Sequence, residues 1–228
     1  MSARWAVCLS SVFALFVAGG LVASEVRAEP VLLDRTVVRF VAPETGGVRS
    51  PRFITARELA FEARIEALSD PDRPRGSQPY LERHVRAAMQ RHIAETLLAN
   101  LKIDPMPTKD ELDRQTQSAR SVLLQRVGGA AALRRAAVAE GVGDRLVLRI
   151  VRRQARASLY LDRMVAPMLT PSRTELRLVQ EQTPFSELPF EQVERQLERY
   201  VVSRRLATAL SDYYRNVRAR IDVTLLRR

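Results

Sequence analysis

Two short β-prone segments lie at opposite ends of this chain, and nearly everything between them reads as helix. Leu32 to Val41 (LLDRTVVRFV) is rich in β-branched residues. Ile221-Asp222-Val223-Thr224-Leu225 alternates apolar and polar, the pattern of a half-buried strand. A lone strand leaves its backbone N–H and C=O groups without partners. The two ends are therefore expected to pair with each other. Phe53-Ile54 follows a Gly- and Pro-containing connection and is expected to resume the first strand as a small hairpin.

The intervening chain is punctuated by helix signals. Thr55-Ala56-Arg57-Glu58 has capping-box spacing, with helix expected to about Leu68. Tyr80 to Ile103 holds a helical period through Leu81, Val85, Ala88, Met89, Ile93, Leu97 and Leu101. Thr108 and Glu111 make a second capping box, opening a helix to Val127, where Gly128-Gly129 breaks it. An alanine-rich helix spans 130–140. Asp144 is expected to cap a long helix to about Ala166, with Ile150, Ala157, Leu161, Met164 and Met168 on one side. Ser172 and Glu175 make a third box before a short helix to Gln182. A final helix runs from Phe190 to Arg218, with Val193, Leu197, Val201, Leu210, Tyr213 and Val217 inward. The expected fold is mainly α, about six helices with a small β element joining the termini.

Residues 1–28 read as an export signal: a basic start at Arg4, an uncharged apolar run from Trp5 to Ala23, and a Val26-Arg27-Ala28 cleavage site. A cut after Ser24, or retention as an inner-membrane anchor, is the alternative. Cleavage after Ala28 takes 28 of the 228 residues and leaves a 200-residue single domain, 29–228. The one cysteine, Cys8, leaves with the signal, so the exported chain has no disulfide, thiol nucleophile or thiolate metal site. Loss of Arg4, Glu25 and Arg27 takes the net charge from +11 to +10, a balance that attracts anionic partners. Lys102 and Lys109 are the only lysines, a bias typical of a GC-rich coding habit. The sole tryptophan lies in the signal and no aromatic-basic motif follows, which argues against nucleic acid.

Catalytic signatures are missing from the sequence. His84 and His92 share one helix, with Glu95 near His92, but no HExxH pattern accompanies them, and they read as ordinary helix histidines. There is no GxSxG elbow, P-loop or GxGxxG. The carboxylates sit at helical spacing among arginines and are expected to form solvated ion pairs. No cofactor and no metal is expected.

The order of segments resembles that of SurA-type periplasmic chaperones. Phe53-Ile54-Thr55-Ala56-Arg57-Glu58-Leu59 is similar to their opening strand, turn and helix start. Ile93-Ala94-Glu95-Thr96-Leu97-Leu98-Ala99 with Leu101-Lys102-Ile103 resembles their second helix, and Pro107 to Leu112 their next helix start. Gly143-Asp144-Arg145-Leu146, Arg152-Arg153-Gln154 and Tyr160 to Val165 resemble their long fourth helix. Pro189 to Val193 and the terminal RARIDVTLL resemble the closing helix and strand. In that family, parvulin prolyl-isomerase domains lie between the long helix and the closing helix. Here Leu169 to Phe190 is 22 residues without a histidine, too few for a folded domain.

The resemblance implies an ATP-independent periplasmic holdase that is not an enzyme and binds unfolded outer-membrane or secreted polypeptides. Such a protein needs an adaptable apolar groove. Tyr160, Met164, Met168, Phe185, Leu188 and Phe190, flanking the missing insert, are the expected lining. Arg145, Arg149, Arg152, Arg156 and Arg163 form a basic stripe that could attract acidic clients or anionic envelope components. The alternatives are an envelope adaptor for one folded partner or an anionic polymer and, further off, a degenerate prolyl isomerase.

Overall fold

A computed structural model describes residues 34–73 and 78–226, apart from the side chain of Val217. The expected export signal, and Leu32 and Leu33 of the expected first strand, lie outside the described residues. The described part is mainly helical, with seven α-helices and one three-stranded antiparallel sheet. The described residues pack as one unit.

The chain opens with β1 (Thr36–Val41), turns through two short 3-10 segments, and returns as β2 (Arg52–Thr55). The closing strand β3 (Asp222–Leu225) pairs with the other side of β1, so the sheet order is β2-β1-β3. The termini of the described chain therefore meet. In register, Ile54, Val38 and Leu225 form one row across the sheet, and Arg52, Phe40 and Val223 the next. The expectation of a half-buried β3 fails. All four of its residues are exposed, Leu225 at 62%, because the apolar cover of this face ends over β1 and β2.

Helices α1 (Ala56–Leu68), α2 (Glu82–Asn100), α3 (Lys109–Val127), α4 (Ala130–Ala139) and α5 (Asp144–Tyr160) form the body. Ile93 and Leu97 of α2 cover Val38, Phe40 and Ile54 of the sheet. A second core joins Phe61 and Ile65 of α1 to Leu123 and Val127 of α3, Leu133 and Ala136 of α4, and Ile150 and Val151 of α5. Gly128 and Gly129 adopt φ of 82° and 105° between α3 and α4, a left-handed turn that side chains with a Cβ resist.

The long helix expected to Ala166 stops as α-helix at Tyr160. The chain continues as a π turn over Leu161–Val165 and a 3-10 turn over Ala166–Leu169. Pro167 removes an amide donor and its ring crowds the carbonyl four residues back, so a regular ladder cannot run through this point. Gly143, not Asp144, is the cap of α5.

The last two helices, α6 (Arg173–Glu181) and α7 (Phe190–Arg218), form a hairpin with its own core of Leu176, Phe190, Val193, Leu197 and Val201. Gln180 is buried and donates from Nε2 to the carbonyls of Phe185 and Leu188, at 3.0 and 2.7 Å, tying off the hairpin turn. Beyond Val201 the burial of α7 thins. Leu210 is half-buried, and Tyr213 returns to pack on the sheet core. No described helix is long and apolar enough to cross a membrane.

Candidate functional site

The carboxylates expected to be solvated are partly interior. Glu58 and Glu62 lie one turn apart on α1 and are 5% and 7% exposed. They converge on Arg153 of α5, whose Nη1 lies 3.2 Å from Glu58 and whose Nη2 lies 2.6 Å from Glu62. Glu95 of α2 accepts from Arg153 Nε at 3.3 Å. His92, on the same face of α2, is buried and donates Nδ1–H to Glu62 at 3.0 Å. One guanidinium thus ties α1, α2 and α5 together. This corrects the solvated reading of these acidic residues.

Ion pairs elsewhere in the fold explain why two of the three capping boxes are half-made. Thr55 Oγ1 accepts from the Glu58 amide, but the Glu58 carboxylate reaches Arg153 rather than back to its cap. Ser172 accepts from the Glu175 amide, while Glu175 pairs with Arg205 of α7. Only Thr108 and Glu111 complete the box, with the Thr108 amide donating to Glu111 at 2.8 Å. His84 is also buried. Its Nδ1 accepts the Leu81 amide at 2.9 Å, so Nε2–H faces Asp70 at 2.8 Å.

The electrostatics follow from the geometry. Burial raises the Glu62 carboxyl, but its hydrogen bond to His92 and the charge of Arg153 outweigh this and leave it below the ordinary 4.5. Burial lifts Glu95 to about 7; the Arg153 charge opposes this and the Glu62 charge adds to it. The longer contact belongs to the group that is harder to ionise. Burial likewise raises Glu66, against the charge of Arg91. Glu66 is clamped by Arg91 at 3.1 Å and Arg126 at 2.7 Å. The Glu58, Glu62 and His92 ligand atoms are close enough to hold an ion, but Arg153 already bonds both carboxylates there.

Glu95 forms part of a solvent-open cleft of about 320 Å³ between α2, α3 and α5, with Tyr214 of α7 at one side. Leu98, Leu123 and Ala157 are buried apolar groups beneath it, and Val122, 59% exposed, stands at its mouth. Gln115, Ser118, Gln154 and Ser158 supply donors and acceptors along the same walls. A wider depression of about 450 Å³ on α4 is lined by that helix alone and has no opposing wall.

The six expected groove residues do not line this cleft. Met168 is 75% and Leu188 45% exposed; Tyr160, Met164 and Phe185 are half-buried. Phe190 is 9% exposed within the α6–α7 core, where the guanidiniums of Arg173 and Arg177 each lie 5.3 Å from its ring centre. Phe185 packs against the same core. The basic stripe divides. Arg145, Arg149 and Arg152 are exposed, whereas Arg163 is spent on Glu111 and the Pro105 carbonyl, and Arg156 reaches the Leu101 carbonyl. Arg153 was legible only as part of a motif. The signal for its role was the spacing of Glu58 and Glu62, four apart on the face that also carries Phe61 and Ile65.

No protein-family model, no curated protein and no solved structure matches the chain.

Proposed function

We propose that this chain is an ATP-independent holdase that binds unfolded outer-membrane or secreted polypeptides in the periplasm, in the manner of a SurA-type chaperone module without its isomerase domain. The observation that carries the reading is the cleft. Apolar groups beneath it offer area to client side chains. The Gln115, Gln154, Ser118 and Ser158 side chains can both donate to and accept from a peptide backbone, which is the same in every client. A site of that kind binds without a fixed sequence. The meeting of the chain ends and the short α6 segment in place of an inserted domain support the same reading. Exposed Met168 and Leu188 extend the client surface, while the exposed arginines Arg145, Arg149 and Arg152 accelerate capture of acidic segments.

The test is aggregation suppression. A urea-unfolded outer-membrane protein is diluted into buffer with and without the full chain, in the absence of ATP. Val122→Asp places a charge at the cleft mouth without touching the core, and at least 5-fold more protein should then be needed for equal suppression. Met168→Ser with Leu188→Ser should give a smaller loss. Failure of the parent to suppress aggregation would remove the holdase reading, and catalysis of proline-peptide isomerisation would replace it with the enzyme alternative.

A further inference from the structure

We infer that the free edge of β3 adds a strand from an extended apolar segment of an unfolded polypeptide. The inference rests on the holdase reading and supplies a second contact for the same clients. The register decides which backbone groups are free. Leu226 N–H donates to the Val37 carbonyl at 2.9 Å. In the antiparallel pairing, Arg39 faces Thr224 and Val41 faces Asp222, so these share the hydrogen-bonded parity of Val37 and Leu226. The N–H and C=O groups of Val223 and Leu225 consequently point away from β1. The sheet order places no described strand on that side.

The side chains agree with the backbone. Val223 and Leu225 are 39% and 62% exposed and share the face of Val38, Phe40 and Ile54. An added strand would extend that apolar row by one position. Natural edges are blunted by short length, by charged residues such as lysine, by proline or by a bulge. Here β3 is short, at four residues, but it is regular and carries one charge, Asp222.

A second copy is the weaker occupant. Edge pairing over four residues, about 14 Å of strand, falls far below the roughly 1,200 Å² a stable interface buries. Each copy also carries a net charge of +11, so two copies repel. An extended client segment needs only a transient contact in addition to the cleft rather than a stable interface, and main-chain bonding accepts any sequence.

The probe is a fluorescein-labelled peptide alternating valine and serine, titrated into the full chain and read by anisotropy and by amide exchange. Binding should slow exchange at Val223 and Leu225. Leu225→Pro removes one outward N–H and leaves the β1–β3 bonds in place; it should weaken binding at least 10-fold. The double variant Val223→Lys with Leu225→Lys changes only exposed side chains and should do the same, keeping the test open if the proline variant misfolds. Parent-like affinity of the lysine variant, absence of peptide binding, or binding without protection at Val223 and Leu225 overturns the inference. So does a parent dimer in sedimentation that the lysine variant abolishes, which would give the edge to a second copy. If the parent suppresses aggregation while the edge variants bind as before, this inference fails alone. If the parent does not suppress aggregation, the holdase reading fails.

Discussion

Arg153 faces three carboxylates with one positive charge, and that imbalance governs the interior chemistry of this protein. Removing it leaves buried negative charge without its partner. Arg153→Met should destabilise by about 3–5 kcal/mol in urea unfolding, the range for breaking one side of a buried pair. Glu95 shows the cost of burial most clearly, with the Glu62 charge adding to it. Its carboxyl holds a proton up to about pH 7 in the folded state, against an ordinary 4.5 in the unfolded chain. Between those values the folded state binds more protons, so stability falls as pH rises through the window. At 1.36 kcal/mol per unit the loss is about 3 kcal/mol between pH 4.5 and 7.5. Glu62, held below its ordinary value, acts in the opposite sense: its contribution is present above 4.5 and fades as pH falls. Glu95→Gln keeps the shape and removes the proton. Urea midpoints measured from pH 5 to 8 should decline for the parent and be markedly flatter for the variant; parallel slopes would contradict the assignment.

At the level of elements, the α6–α7 hairpin is the part most open to local unfolding. Its core is five buried residues from two helices, and such a pair is marginal without further support. Leu197 is fully buried there. Leu197→Ala should cost about 2–5 kcal/mol, and the loss should appear first as faster amide exchange across α6 rather than in α2. Most helices were legible because their signals are local: Gly128-Gly129 ends α3, and Thr108 with Glu111 starts it. The end of α5 was misread because Pro167 acts backward along the chain, loosening residues that are themselves good helix formers. The spacing of Glu58 and Glu62 placed them on the apolar face of α1, but their pairing was illegible because Arg153 is about 60 to 95 residues away in the chain. The cleft was illegible for the same reason: it is assembled from four helices, and no run of sequence carries its pattern. The residues around the short insert were singled out by composition, yet Phe190 is needed by the hairpin core.

For the whole molecule, pairing of β1 with β3 closes the chain, and the loss of that pairing should be felt globally. Thr224→Pro deletes an amide that faces β1, so it should lower the melting temperature by several degrees and speed exchange in β1. The contrast with Leu225→Pro, whose amide faces outward, separates closure from edge binding. The exposed arginines give a further expectation: client capture should slow as salt rises, because surface charge acts mainly on encounter.

The central claim is that this closed helical body captures unfolded chains without chemistry. Light scattering from a urea-unfolded outer-membrane protein, diluted into a slight excess of the full chain without nucleotide, measures it directly. The account predicts that scattering is largely abolished, and that Val122→Asp restores most of it while leaving the fold intact. Undiminished scattering in the presence of the folded parent protein would contradict it.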